Sequence, residues 1–222
     1  MNIADNINKY LAEIGNRNCE LVAISKKKPT SIIFDAYNSG QRIFGENKVQ
    51  ELVEKQGQLP QDIEWHMVGH LQTNKVKHIA PFVDLIHSVD SFKLLKEINK
   101  QGEKHNRIIS CLLQVHIAEE ETKFGLSKEE LFKLMEEVTY SDFRYIKIVG
   151  LMGMATYTSD VELIRNEFRN LKQILNEASE KYKHDLIDLK ELSTGMSGDY
   201  KIAIEEGSTM IRIGTGVFGA RY

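Results

Sequence analysis

The sequence predicts an α/β protein, a single (β/α)8 barrel of the TIM type spanning residues 1–222. Three observations carry that expectation. Eight short runs rich in Val, Ile, Leu and Phe stand where buried parallel strands would. Helical periodicity separates the runs from one another. No linker-like stretch, internal repeat or low-complexity segment interrupts them. An open doubly wound sheet is the alternative reading of the same alternation.

Residues Asn2 to Ile14 set Ile3, Ile7, Leu11 and Ile14 at helical spacing. Leu21-Val-Ala-Ile-Ser-Lys-Lys-Lys-Pro29 then reads as a buried strand that ends in three lysines and a proline. Ser31 to Ser39 reads as a helix stopped by Gly40. Arg42 to Asn47 gives the second strand and Lys48 to Gln56 the second helix of the repeat. Asp62 to Val68 is the third strand, followed by a polar loop and a helix through Ala80. Phe82 to Val89 is the fourth, with a helix from Ser91 to Lys104, and Arg107 to Ile117 the fifth. Ser127 with Glu130 three residues on forms a capping box that opens the next helix. Ile146 to Gly153 is the sixth strand, and Asp160 to Lys183 a long charged amphipathic helix. Leu189 to Ser193 is the seventh strand, Tyr200 to Glu206 a short helix, and Met210 to Gly214 the eighth strand. Little chain follows that last strand, so the N-terminal helix is expected to fill the place of an eighth outer helix.

Composition narrows the function. A net charge of -3 speaks against a nucleic-acid surface, which needs a clustered positive excess. Cys19 and Cys111 form no ligand-like pair, as expected of a reduced, cytoplasmic protein. The start Met1-Asn-Ile-Ala-Asp has no signal-peptide character, and no apolar run is long enough for a bilayer.

Strand alternation places Val22, Ile24 and Lys26 on one face, at the carboxyl end where barrels bind ligands. A lysine there is a candidate amine nucleophile or Schiff-base former; the other reading is a solvated basic turn. Ser193-Thr-Gly-Met-Ser-Gly-Asp199 and Gly207 to Gly219 follow the seventh and eighth strands and offer hydroxyls and glycine N–H groups. A phosphate needs such donors, and these two loops are the usual phosphate site of a barrel. Met210, Arg212 and Gly214 share a face, which aims Arg212 at the mouth. A lysine for an aldehyde and a cradle for a phosphate together suggest pyridoxal 5'-phosphate (PLP). An arginine cannot lose its proton, so Arg212 against the pyridine nitrogen would leave that nitrogen unprotonated and the ring a poor electron sink.

Other motifs fail on inspection. Gly214-Thr-Gly-Val-Phe-Gly219 matches a dinucleotide fingerprint in letters, but no acidic residue follows about 20 positions on. Gly195-Met-Ser-Gly has Asp199 where a nucleophile elbow needs glycine. His66 and His70 resemble a helical metal pair, yet on a strand four residues span about 13 Å, too far for one ion. His66 is read instead as a satisfied barrel residue or a ligand-facing one. The run Glu119-Glu-Glu121 is read as solvated surface.

Six segments taken together resemble one family. They are Ala23 to Pro29, Gly45-Glu-Asn-Lys-Val-Gln-Glu51, Trp65-His-Met-Val-Gly-His-Leu-Gln-Thr-Asn-Lys75, Gly150-Leu-Met-Gly-Met154, Leu192-Ser-Thr-Gly-Met-Ser197 and Ile211 to Gly219. In order and nearly along the whole chain, they resemble the pyridoxal phosphate homeostasis protein family. The resemblance implies a barrel like the N-terminal domain of bacterial alanine racemase, fold type III among PLP proteins. It implies PLP held as a Schiff base on Lys26, the first lysine of the triplet. It further implies that Ser193, Ser197, Gly214 and Thr215 hold the phosphate and that Arg212 faces the pyridine nitrogen. Asn47, His66 and Met152 would line the cofactor mouth. Two positions depart from the family pattern. Thr194 replaces a methionine, which adds a hydroxyl near the expected phosphate, and His70 stands where proline is usual.

The family is implicated in buffering PLP and delivering it to apo-enzymes, with no established catalytic activity. A non-catalytic PLP carrier is therefore the expected function, as a monomer, with a dimer as the alternative. A small racemase-like PLP enzyme is the rival, and would need a second acid or base opposite Lys26. A barrel enzyme forming a Schiff base with a phosphorylated sugar is a third reading. The chain is expected to lack the second β-domain that alanine racemases carry.

Overall fold

The computed structural model describes residues 2–120 and 124–219 of the 222-residue chain. Strands β1 (Glu20–Ile24), β2 (Ile43–Glu46), β3 (Glu64–Met67), β4 (Leu85–Val89), β5 (Ile109–Gln114), β6 (Ile146–Met152), β7 (Ile187–Ser193) and β8 (Met210–Ile213) pair in sequence order into a closed barrel. Every pairing is parallel, and β8 closes on β1 with Glu20 opposite Met210 and Val22 opposite Arg212. The open-sheet alternative is thereby excluded. Helices α1 (Ile3–Ile14), α2 (Thr30–Asn38), α3 (Val49–Gln56), α4 (Val76–Ile79), α5 (Phe92–His105), α6 (Lys128–Thr139), α7 (Val161–Lys181), α8 (Tyr200–Glu205) and α9 (Thr215–Phe218) lie between and around the strands.

The period-two pattern of each strand divides the core into two parts. Val22, Ile24, Leu85, Leu112, Met152 and Met210 fill the bore of the barrel. Their strand neighbours Leu21, Ala23, Ile86, Cys111, Leu113, Ile211 and Ile213 face outward into the larger core beneath the helices. Each fully buried large apolar side chain there contributes about 1.5–3 kcal/mol. Between β6 and β7 the backbones approach so closely that a Cβ on Gly150 would stand 1.9 Å from the Glu191 carbonyl oxygen. That contact explains a glycine inside an otherwise apolar strand.

Helix starts follow the caps. Ser127 and Glu130 form the expected box, and Asp160 Oδ1 accepts from the Glu162 and Leu163 N–H groups at the start of α7. Several expected strands are shorter in the structure. Phe82 and Val83 donate to the Ile79 carbonyl and so extend the α4 turn, leaving β4 to begin at Leu85. Arg107 N–H likewise caps α5 on the Gly102 carbonyl, and β5 begins at Ile109. α1 does occupy the eighth outer position. Asn6 Nδ2 donates to the Val217 carbonyl at 2.8 Å, and Tyr10 packs edge-on against Tyr200 with ring centroids 5.0 Å apart. No helix among the described residues is long and apolar enough to cross a membrane.

Candidate functional site

β1 ends at the lysine triplet in a tight turn. Lys28 N–H donates to the Ser25 carbonyl at 3.0 Å, with Lys27 between them at φ 60°. A non-glycine residue in that region costs about 1–3 kcal/mol and persists only where its surroundings impose it. They do so here. Lys27 N–H donates to Glu51 Oε2 at 2.7 Å, and Lys55 Nζ donates to the Ser25 carbonyl at 2.8 Å. Lys55 also meets Glu46 Oε1 at 2.7 Å and Glu51 Oε2 at 3.1 Å, while Ser25 Oγ donates to Glu46 Oε1 at 2.6 Å. Burial pushes the Glu46 carboxyl above its ordinary range against the pull of Lys55 and Ser25. Glu51 is less buried; burial works to raise it, but the Lys27 N–H and Lys55 hold it below.

The turn separates the three lysines. Lys26 is half-buried and the Lys27 side chain is exposed. Lys28 Nζ donates to the Phe218 and Gly219 carbonyls at 3.1 and 3.3 Å, capping the one-turn helix α9.

On β8, the strand next to β1, Arg212 is buried. Nη1 donates to the Ser193 carbonyl at 2.7 Å and to Ser193 Oγ at 2.6 Å, and Nη2 to the Gly153 carbonyl at 3.1 Å. The ends of β6 and β7 thus fix the guanidinium. Ser193 Oγ also lies 3.0 Å from His87 Nδ1, and His87 Nε2 lies 3.0 Å from His66 Nδ1. Burial drives the His66 pKa down to about 3 and that of His87 well below its ordinary value, with His66 and Arg212 adding to the latter. Both rings are therefore neutral near pH 7. Burial also pushes the Arg212 guanidinium down to about 10, opposed by the more distant charge of Asp199.

Of the expected site residues, His66 and Arg212 lie one residue before the ends of β3 and β8, and the others end or follow strands at the same carboxyl side of the barrel. Met152 is buried at the end of β6, in register with Ser193 on β7. Asn47 is half-buried after β2, and its backbone packs so tightly on Gly69 that a Cβ there would stand 2.3 Å from the Asn47 carbonyl oxygen. Gly214 and Thr215 begin α9, half-buried and exposed in turn, and Ser197 is exposed in the loop after β7. Gly195 in that loop has φ +87°, and a Cβ on it would meet Ala203 Cβ at 2.6 Å. The Thr194 hydroxyl is buried and meets no hydrogen-bond partner among the described residues.

His70 parts from His66: it pairs with Asp90 at 3.5 Å and stacks on Phe124. Among the described residues no three His, Cys, Asp or Glu side chains are grouped to hold a metal ion. Glu119 is exposed as expected, whereas Glu120 Oε1 accepts the Tyr157 N–H, tying the loop after β5 to the loop after β6; Glu121 lies outside the described residues.

Sequence reasoning missed His87, Glu46 and Lys55. His87 shares strand parity with Leu85 in the run Leu85-Ile-His-Ser-Val89, so a polar residue facing the bore was readable there. Glu46 ends an apolar strand, and Lys55 stands four residues after Glu51 on α3, an ion-pair spacing.

The donor set suits a phosphorylated or nitrogen-heteroaromatic ligand. Among the described residues no carboxylate lies in ion-pair contact with Arg212, whose partners are two carbonyls and one hydroxyl. A buried cation left with neutral partners favours an anion or a lone pair beside it.

Compared with known proteins, the chain matches over residues 1–222 the family described as alanine racemase, N-terminal domain. The pyridoxal phosphate homeostasis protein of Aquifex aeolicus is 40% identical over 222 residues, covering 99% of this chain and 95% of its own. The human protein of the same name is 36% identical over 210 residues, covering 90% of this chain and 76% of its own. Among solved structures, PipY of Synechococcus elongatus with PLP bound has a TM-score of 0.89 at 32% identity, covering 98% of this chain and 100% of that one. Alanine racemase of Bartonella henselae, at 16% identity and a TM-score of 0.73, shares the fold, and the match covers 58% of its chain.

Proposed function

The chain belongs to the alanine racemase N-terminal domain family, alongside relatives named pyridoxal phosphate homeostasis protein, and on that premise we propose that it binds PLP and serves PLP homeostasis. In this reading the whole chain is one domain that buffers PLP in the cytoplasm as a monomer and supplies it to apo-enzymes. Lys26 holds the cofactor aldehyde as a Schiff base. Ser193, Ser197, Gly214 and Thr215 hold the phosphate, Arg212 faces the pyridine nitrogen, and Asn47, His66 and Met152 line the mouth.

One observation carries the reading: Arg212, buried and fixed by Ser193 and Gly153, presents a permanent donor at the floor of the mouth. PLP joined to a lysine supplies an electron sink, and a donor that never yields its proton to the ring nitrogen leaves that sink weak. A racemase also needs a second acid or base beside the lysine. The two histidines that face the bore are neutral, buried and bonded to each other. Both features support binding without turnover.

The test is a titration of the ligand-free protein with PLP, followed by racemisation and transamination assays on a panel of amino acids. A visible absorption band that saturates, with no turnover, is the expected result. Turnover at enzymatic rates overturns the non-catalytic part, and absence of any band overturns the binding itself.

A further inference from the structure

Hydrogen-bond polarity along Arg212, Ser193, His87 and His66 is not arbitrary. Arginine has donors and no acceptor, so Ser193 Oγ accepts from Nη1. Ser193 Oγ has no other side-chain partner among the described residues, so its single hydroxyl proton goes to His87 Nδ1, 3.0 Å away. A neutral imidazole carries one N–H, which for His87 must be on Nε2, donating to His66 Nδ1 at 3.0 Å. His66 in turn holds its proton on Nε2. The whole chain of bonds points away from Arg212.

A serine oxygen has two lone pairs and can accept twice. We infer that Ser193, His87 and His66 form a tautomer relay: a ligand phosphate oxygen seated at Ser193 accepts a hydrogen bond from the hydroxyl, which then points away from His87, and reverses each bond behind it. His87 Nδ1–H then donates to Ser193 Oγ, His66 Nδ1–H donates to His87 Nε2, and His66 Nε2 changes from donor to acceptor. The protons balance. The phosphate arrives with one proton and gives it to Ser193 Oγ as the Ser193 hydroxyl proton passes to His87 Nδ1, one proton moves from His87 Nε2 to His66 Nδ1, and one leaves His66 Nε2 for solvent. Both rings stay neutral. The relay deepens the PLP reading and rests on it: phosphate at the end of β7 is reported by a nitrogen on β3, across the bore.

The relay makes His87 a positioning residue, acting through Ser193 and His66 rather than on the ligand. The test is nitrogen NMR of the imidazole tautomers in the full chain labelled with 15N-histidine, alone, with PLP, and with pyridoxal, which lacks the phosphate. Alone, both His66 and His87 are expected as Nε2–H tautomers. PLP is expected to convert both to Nδ1–H, and pyridoxal to convert neither. In His87→Gln the response of His66 to PLP is expected to vanish while the visible band still forms. In Ser193→Ala both histidines lose their response. Tautomers that stay put while the PLP band forms, or that pyridoxal reverses as well, overturn the relay and leave the PLP reading standing. Absence of any PLP band overturns both.

Discussion

Lys55 Nζ and Glu46 Oε1 meet at 2.7 Å directly behind the turn that carries Lys26, with side-chain exposures of 8% and 0%. Their shared contacts with Ser25, and the Glu51 contact with Lys27 N–H, are what hold Lys27 in its left-handed conformation. The pair is an internal brace for the lysine turn.

Removing one partner leaves the other charge buried. Lys55→Met is expected to destabilise the fold by about 3–5 kcal/mol, measured as a lower midpoint of chemical unfolding. The double variant Lys55→Met/Glu46→Leu is expected to recover most of that loss, because no fully buried charge is left alone and the partly exposed Glu51 keeps the Lys27 N–H. A single variant within about 0.5 kcal/mol of the parent would show that the pair braces nothing.

The neutral histidines make stability depend on pH. His66 folds with its pKa lowered to about 3, and His87 is lowered as well, so the unfolded chain binds more protons below its ordinary histidine pKa. Their contribution is full above a pH of about 6.5 and falls below it, by about 1.4 kcal/mol per pH unit for each ring that must stay neutral. Unfolding midpoints measured between neutral and mildly acid pH are expected to drop accordingly. In His87→Gln the slope is expected to be roughly half as steep. An identical slope in that variant would assign the acid sensitivity to other groups.

Thr194 hides a hydroxyl without a partner among the described residues. Thr194→Val keeps the shape and removes the polar atom, and is expected to raise stability by about 1 kcal/mol. For a chain of this size that is a rise in Tm of about 2–4 °C. A fall instead would mean that the hydroxyl is bonded in solution.

These residues also mark how far the sequence could be read. The barrel was legible because the apolar runs of β1 and β8 and the helical periods between strands repeat at short range. Strand ends at Phe82 and Arg107 were misplaced because apolar or basic residues there serve helix-terminal turns, which composition does not separate from strands. Strand parity aimed Lys26 and Arg212 at the ligand-binding end of a barrel, whereas Ser193 was marked by its hydroxyl- and glycine-rich loop after β7 and by the family resemblance. His87 was not legible, since its partner Ser193 is 106 residues away and the contact exists only once the barrel closes. The brace of Ser25, Glu46 and Lys55 escaped for the same reason, each residue looking ordinary until β1, β2 and α3 pack together.

The most direct test of the central claim is to reduce the PLP-loaded protein with borohydride and locate the added mass by peptide mapping. The account expects the visible band to disappear on reduction and the pyridoxyl mass to reside on the peptide through Lys26. Lys26→Ala is expected to bind PLP without the Schiff-base band. Label on Lys27 or Lys28 instead, or an unchanged band in Lys26→Ala, would contradict the assignment of this turn as the cofactor's covalent anchor.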